Sequence, residues 1–63
     1  MVFKIRYFRK KLGMSQEELA RKSGVSRPII SGLENGTIAV TTTDTLIKIS
    51  KALGAKVSDI FLP

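Results

Sequence analysis

The sequence predicts an all-α domain of five short helices, and three observations carry that prediction. Apolar residues recur at helical rather than alternating spacing along most of the chain. Helix boundaries are written out in the residues that start and stop helices, from Ser15 and Glu18 to Gly13, Gly24, Gly36 and Gly54. The single β-branched stretch, residues 37–42 (TIAVTT), has no second stretch to pair with, so it reads as an extended loop and no sheet is expected. All of residues 1–63 form a single domain, near the lower size limit at which one core holds without staples.

The first helix is predicted over residues 2–12, with Ile5, Phe8 and Leu12 facing inward and Gly13 stopping it. The second covers 16–23 and opens on a capping box, in which the Ser15 hydroxyl accepts a free backbone N–H and Glu18 reaches back to another. Gly24 breaks the chain sharply, as a turn at positive φ requires. Ser26 is placed to cap a third helix over 27–34, and Pro28 falls in its first turn, where a missing N–H costs nothing. Leu19, Ala20, Val25, Ile30 and Leu33 supply the shared apolar face, and Asn35-Gly36 ends the segment. Helix, glycine turn and helix make a helix-turn-helix unit. Thr42 or Thr43 caps a fourth helix whose first turn holds Asp44, favoured there by the dipole. Its apolar residues are Leu46, Ile47, Ile49 and Leu53, and Gly54 closes it. A last turn over 57–61, with Val57 and Ile60 inward, leads to Pro63.

Composition narrows the chemistry. The chain has no cysteine and no histidine, which removes disulfides, the usual zinc sites and the commonest bases and nucleophiles. Glu17, Glu18, Glu34, Asp44 and Asp59 show no catalytic clustering, and the adjacent Glu17-Glu18 pair suits a helix start. No glycine-rich phosphate loop is present. We therefore expect no enzyme, no cofactor and no metal. No apolar run is long enough to span a bilayer and no signal segment opens the chain, so a cytoplasmic protein is expected. Eleven basic residues against five acidic ones give a net charge of +6, which favours a polyanion. Lys4, Arg6, Arg9, Lys10 and Lys11 crowd into the first eleven residues without one acid. Alone, such a run reads as a solvated helix face; beside a helix-turn-helix it borders the phosphate backbone.

Three segments, IRYFRKKLG (5–13), LGMSQEELARKSGVSRPIISGLENG (12–36) and LIKISKALGAKVSDIF (46–61), together carry a family resemblance. The chain resembles the DNA-binding domains of the phage repressor/Cro family, the XRE-like helix-turn-helix proteins. The resemblance covers nearly the whole chain and implies a compact, five-helix, lambda-repressor-like fold. It implies sequence-specific binding of double-stranded DNA by a homodimer acting as a transcriptional regulator, repressor or Cro-like.

In a helix-turn-helix domain the start of the second helix points at base edges in the major groove. Here the base-reading candidates are Ser26, Arg27, Pro28, Ile29 and Ser31. The planar fork of Arg27 matches guanine O6 and N7; a phosphate contact is the alternative. Ile29 suits a thymine methyl or, alternatively, burial under the loop at 37–42. Gly32 is expected on the same exposed side, where the family often carries a longer polar side chain. Its lack of a side chain either removes a reader and lets the helix sit closer to DNA, or marks an unused part of the helix.

Phosphate candidates are Arg9, Gln16, Asn35, Thr37, Thr41 and Thr42, with Thr43 beside them. Gln16 matches a phosphate-binding position of the family, at a helix start that offers free N–H groups. Asn35 is a phosphate donor or a mere helix stop, and of the threonines one or two should touch phosphate while the rest cap. The family often pairs a basic residue of the first helix with the acid of the LEN-G segment. Arg9 and Glu34 match that pair, with Glu34 as structural support; as a surface pair it adds about 0–1 kcal/mol, and Glu34→Ala should weaken DNA binding while the fold survives.

The family's dimer contact corresponds to Ala55, Lys56, Ser58, Phe61 and Leu62, although Phe61 could equally pack into the core. The partners implied are a two-fold symmetric duplex and a second copy, held together in some cases only on DNA, with no membrane and no small-molecule ligand. A different class of function stays open: an antitoxin-like or anti-repressor module whose main partner is a protein.

Overall fold

The computed structural model describes residues 2–38 and 42–62. Their order is β1 (Val2–Phe3), α1 (Ile5–Lys11), α2 (Gln16–Ser23), α3 (Arg27–Asn35), α4 (Thr43–Leu53), α5 (Val57–Ile60) and β2 (Phe61–Leu62). The all-α fold with a helix-turn-helix formed by α2 and α3 is as the sequence predicts.

One amendment concerns the two ends. Residues 2–3 do not begin the first helix, and Phe61 does not finish the last. Instead β1 and β2 pair antiparallel, with Val2 opposite Leu62 and Phe3 opposite Phe61. The Lys4 N–H extends the ladder to the Ile60 carbonyl at 2.8 Å. The Phe3 and Phe61 rings meet at 5.4 Å between centroids, tilted by 59°. Pairing between opposite ends of the chain leaves no trace in local periodicity, which is why a sheet was not expected.

The helix-turn-helix closes as its residues dictate. Ser15 accepts from the Glu18 N–H at 3.1 Å, and the Glu18 carboxylate accepts from the Ser15 N–H at 3.4 Å, completing the capping box. Gly24 sits at φ 76°, a left-handed conformation that a Cβ would strain. Ser26 stands at the N-cap of α3, but its hydroxyl makes no cap bond; Pro28 nearby already removes one of the orphan donors. Thr42 caps α4 by accepting from the Thr45 N–H at 3.2 Å, and Asp44 pairs with Lys48 at 3.1 Å.

The core joins Ile5, Met14, Leu19, Val25, Ile30, Leu33, Ile49, Leu53 and Ile60, with α2 packed on both α3 and α4. Two residues expected inside are outside. Leu12 is 54% exposed, because α1 ends at Lys11 and the chain turns away; Met14, past the turn, fills the core instead. Ile47 is 38% exposed, about a quarter-turn off the stripe of Leu46, Ile49 and Leu53. Ser50 takes the inward place beside that stripe and satisfies its hydroxyl on the Ile47 carbonyl at 2.9 Å. Val57 is only half-buried, whereas Ile60 is enclosed. No helix among the described residues is long and apolar enough to cross a membrane.

Candidate nucleic-acid interface

The site is built around one carboxylate. Glu34, near the end of α3, has a fully buried side chain. Arg9 of α1 grips it with both edges of its fork, Nε to Oε2 at 2.8 Å and an Nη2 donor to Oε1 at 3.0 Å. The remaining Arg9 arm donates to the Met14 carbonyl at 2.8 Å, tying the α1–α2 turn into the same cluster. Gln16, first residue of α2, donates to Glu34 Oε1 at 3.3 Å, and Arg6 donates through Nε at 3.2 Å. Four side chains from three helices thus meet at Glu34.

Burial alone would push the Glu34 carboxyl up; donors from Arg9, Gln16 and Arg6 outweigh it and hold the group below the ordinary carboxylate range. The Arg9 guanidinium is raised, mainly by its hydrogen bond to Glu34 and despite its own burial. The pair was expected at the surface and is instead enclosed, with Arg9 only 12% exposed. Removing Glu34 would strand a buried cation, so survival of the fold in Glu34→Ala is no longer the expectation.

Outside this hub lies the start of α3. Ser26, Arg27 and Pro28 are exposed, Ile29 is 36% exposed and Ser31 half-buried. Arg27, Pro28 and Ser31 share one stripe of the helix; Ile29 stands on its flank. The expectation for Gly32 is overturned. It is buried, because Ile38 from the following loop lies directly on it.

Of the phosphate candidates, Gln16 and Arg9 converge on Glu34, while Asn35 and Thr37 are exposed. The Asn35 side-chain oxygen accepts from the Thr37 N–H at 2.9 Å and from the Thr37 hydroxyl at 2.6 Å, so it is committed to the turn that follows α3. Thr42 uses its hydroxyl as the α4 cap, and Thr41 lies outside the described residues.

Arg6 was not among the candidates predicted from sequence; it donates through Nε to Glu34 and its side chain is 55% exposed. Its signal was available: Arg6 and Arg9 are three apart and share a helix face. The dimer candidates do not form one free patch. Ala55 packs against the core and Phe61 against Phe3, while Lys56 and Ser58 are exposed; the side chain of Leu62 lies outside the described residues.

A capped helix, a left-handed glycine turn and an exposed second helix held from behind by a buried ion pair define a helix-turn-helix protein. The chain belongs to that family: the helix-turn-helix family profile matches residues 5–60. An uncharacterized HTH-type transcriptional regulator of Archaeoglobus fulgidus is 42% identical over 59 residues, covering 94% of this chain and 83% of its own length. One from Methanocaldococcus jannaschii is 39% identical, covering 94% of this chain and 88% of its own. A third, from Methanothermobacter thermautotrophicus, is 42% identical over 92% of this chain and 84% of its own.

Proposed function

We propose that this helix-turn-helix regulator of transcription binds double-stranded DNA sequence-specifically, as a homodimer, with the start of α3 in the major groove. The observation that carries the reading is the exposed Arg27–Pro28 turn of a helix whose other end is fixed by the Glu34 hub. A reader must be exposed and rigid together, because a mobile side chain loses binding energy to ordering. Arg27 pairs with a guanine, Ser26 and Ser31 take either donors or acceptors, and Pro28 and Ile29 present apolar surface to thymine methyls.

Phosphate contacts flank this strip. Gln16 offers a helix start, Arg6 brings a guanidinium group to the α1–α3 edge beside the enclosed Arg9, and Asn35, Thr37 and Thr42 are the further candidates. Glu34 holds the first set in register without touching DNA. One unit reads few base pairs, so two copies on a two-fold site, with half-sites about 34–36 Å apart, supply the specificity. Of the dimer candidates, the exposed Lys56 and Ser58 mark the face on which the copies meet.

The test is selection of bound duplexes from a randomised library at about 150 mM salt, a range in which phosphate contacts alone are weakened. A two-fold symmetric motif containing a guanine is expected, and Arg27→Ala should weaken binding about 5- to 150-fold and relax that guanine. Salt-sensitive binding with no enriched motif would overturn the base-reading function.

A further inference from the structure

Gly32 and Ile38 form an arrangement that the base-reading strip above does not use. A Cβ built on Gly32 would lie 2.5 Å from Ile38 Cδ1, 2.6 Å from Cγ1 and 3.3 Å from Cβ. The Ile38 side chain therefore runs along the path that a side chain at position 32 would follow. Its backbone is pinned there, since the Ile38 N–H donates to the Gly32 carbonyl at 2.9 Å. Gly32 is one helical turn beyond Pro28 and only about 40° around from it, so the direction in which Ile38 lies continues the exposed Arg27–Pro28 strip. Ile38 is half-buried: one side packs on the core and another remains open.

We propose that Ile38 is a base-reading residue, a loop side chain that replaces the missing side chain of position 32 and packs against the C5-methyl group of a thymine. The assignment rests on the major-groove reading of α3. An apolar β-branched side chain has no hydrogen bond to give, so its information is the presence or absence of a methyl group, which the major groove displays for thymine alone. Glycine at 32 is then a specificity feature: it lets the loop, rather than the helix, supply the contact. The base pair read by Ile38 lies further along the groove than the guanine of Arg27, since Gly32 is five residues further along the helix.

The experiment is a uracil scan of the selected operator, each thymine replaced singly by uracil, for the unaltered protein, Ile38→Val and Ile38→Ala. Uracil removes the methyl and leaves the pairing intact. One thymine is expected to lose about fourfold in affinity with the unaltered protein, the size of one buried methyl group. That loss should shrink in Ile38→Val and vanish in Ile38→Ala, with the Arg27 guanine preference retained. Ile38→Val removes one carbon, so thermal melting of that variant keeps the comparison on folded protein. Identical scans for all three proteins, with Arg27→Ala still relaxing its guanine, would overturn the role of Ile38 and leave the reading of α3 standing. Absence of any selective binding by the unaltered protein would overturn both.

Discussion

At the scale of the residue, Glu34 combines a stability role with a positioning one. Its carboxylate is fully buried and accepts from Arg9, Arg6 and Gln16. Glu34→Ala leaves Arg9 buried beside an empty site, and should cost about 3–5 kcal/mol in a urea titration. In so small a domain that approaches the whole folding free energy. Glu34→Gln keeps the shape and should cost less. The direction of the Glu34 pKa adds a pH prediction. Its folded value lies below the unfolded one, so its contribution is present above the ordinary carboxylate range and is lost as pH falls through the folded value. Thermal melting of the unaltered protein should therefore fall across that acid range, and Glu34→Gln should flatten the part due to this group. Arg6 differs from Arg27 in kind. Arg6→Ala should weaken binding to all duplexes alike and lower the slope of log affinity against log salt by about one, without changing the preferred motif.

At the scale of the element, α3 and its following loop act as one unit. Alanine at position 32 gains about 1 kcal/mol of helix propensity, yet its Cβ collides with Ile38. Overpacking of this kind costs about 1–3 kcal/mol, so Gly32→Ala should be destabilising by about 1 kcal/mol. In an Ile38→Ala background the same substitution should become stabilising, a reversal of sign that denaturant titration of the double-mutant cycle reads directly. The α2 cap is simpler: Ser15→Ala removes the acceptor of the Glu18 N–H and should cost about 1 kcal/mol.

These elements also show what the sequence could reveal. The capping box, the Gly24 turn and the boundaries of α2 depend on residues within a few positions of one another, and they were legible. Leu12 and Ile47 were misplaced because periodicity alone does not say where a stripe ends, and each lies at its edge or just past the helix end. The depth of Glu34 and the cover over Gly32 depend on neighbours brought in by tertiary packing. Charge and exposure rules gave the wrong side for both. Within the candidate site, the base-reading candidates came from the helix-turn-helix pattern and Arg6 was legible from its spacing to Arg9, while the place of Ile38 over Gly32 needed coordinates.

At the scale of the whole molecule, charge and closure matter most. A net charge of +6 favours any duplex, so the sequence preference proposed for α3 should show only where salt has weakened that general attraction. Affinity for random duplexes should fall steeply between about 50 and 200 mM salt, and affinity for the selected operator should retain a larger fraction.

The pairing of β1 with β2 has a different kind of consequence. Residues opposite each other in an antiparallel ladder are separated by only about 5 Å, and here those residues are Val2 and Leu62. Sequence order and spatial order are thus nearly cyclic: the path leaves the domain beside the point at which it entered. A short linker could join these ends and a new opening could be cut in the α4–α5 connection, with the helix-turn-helix left uninterrupted. By the same geometry, the domain could be spliced into a surface loop of a host protein without spreading the loop's two feet.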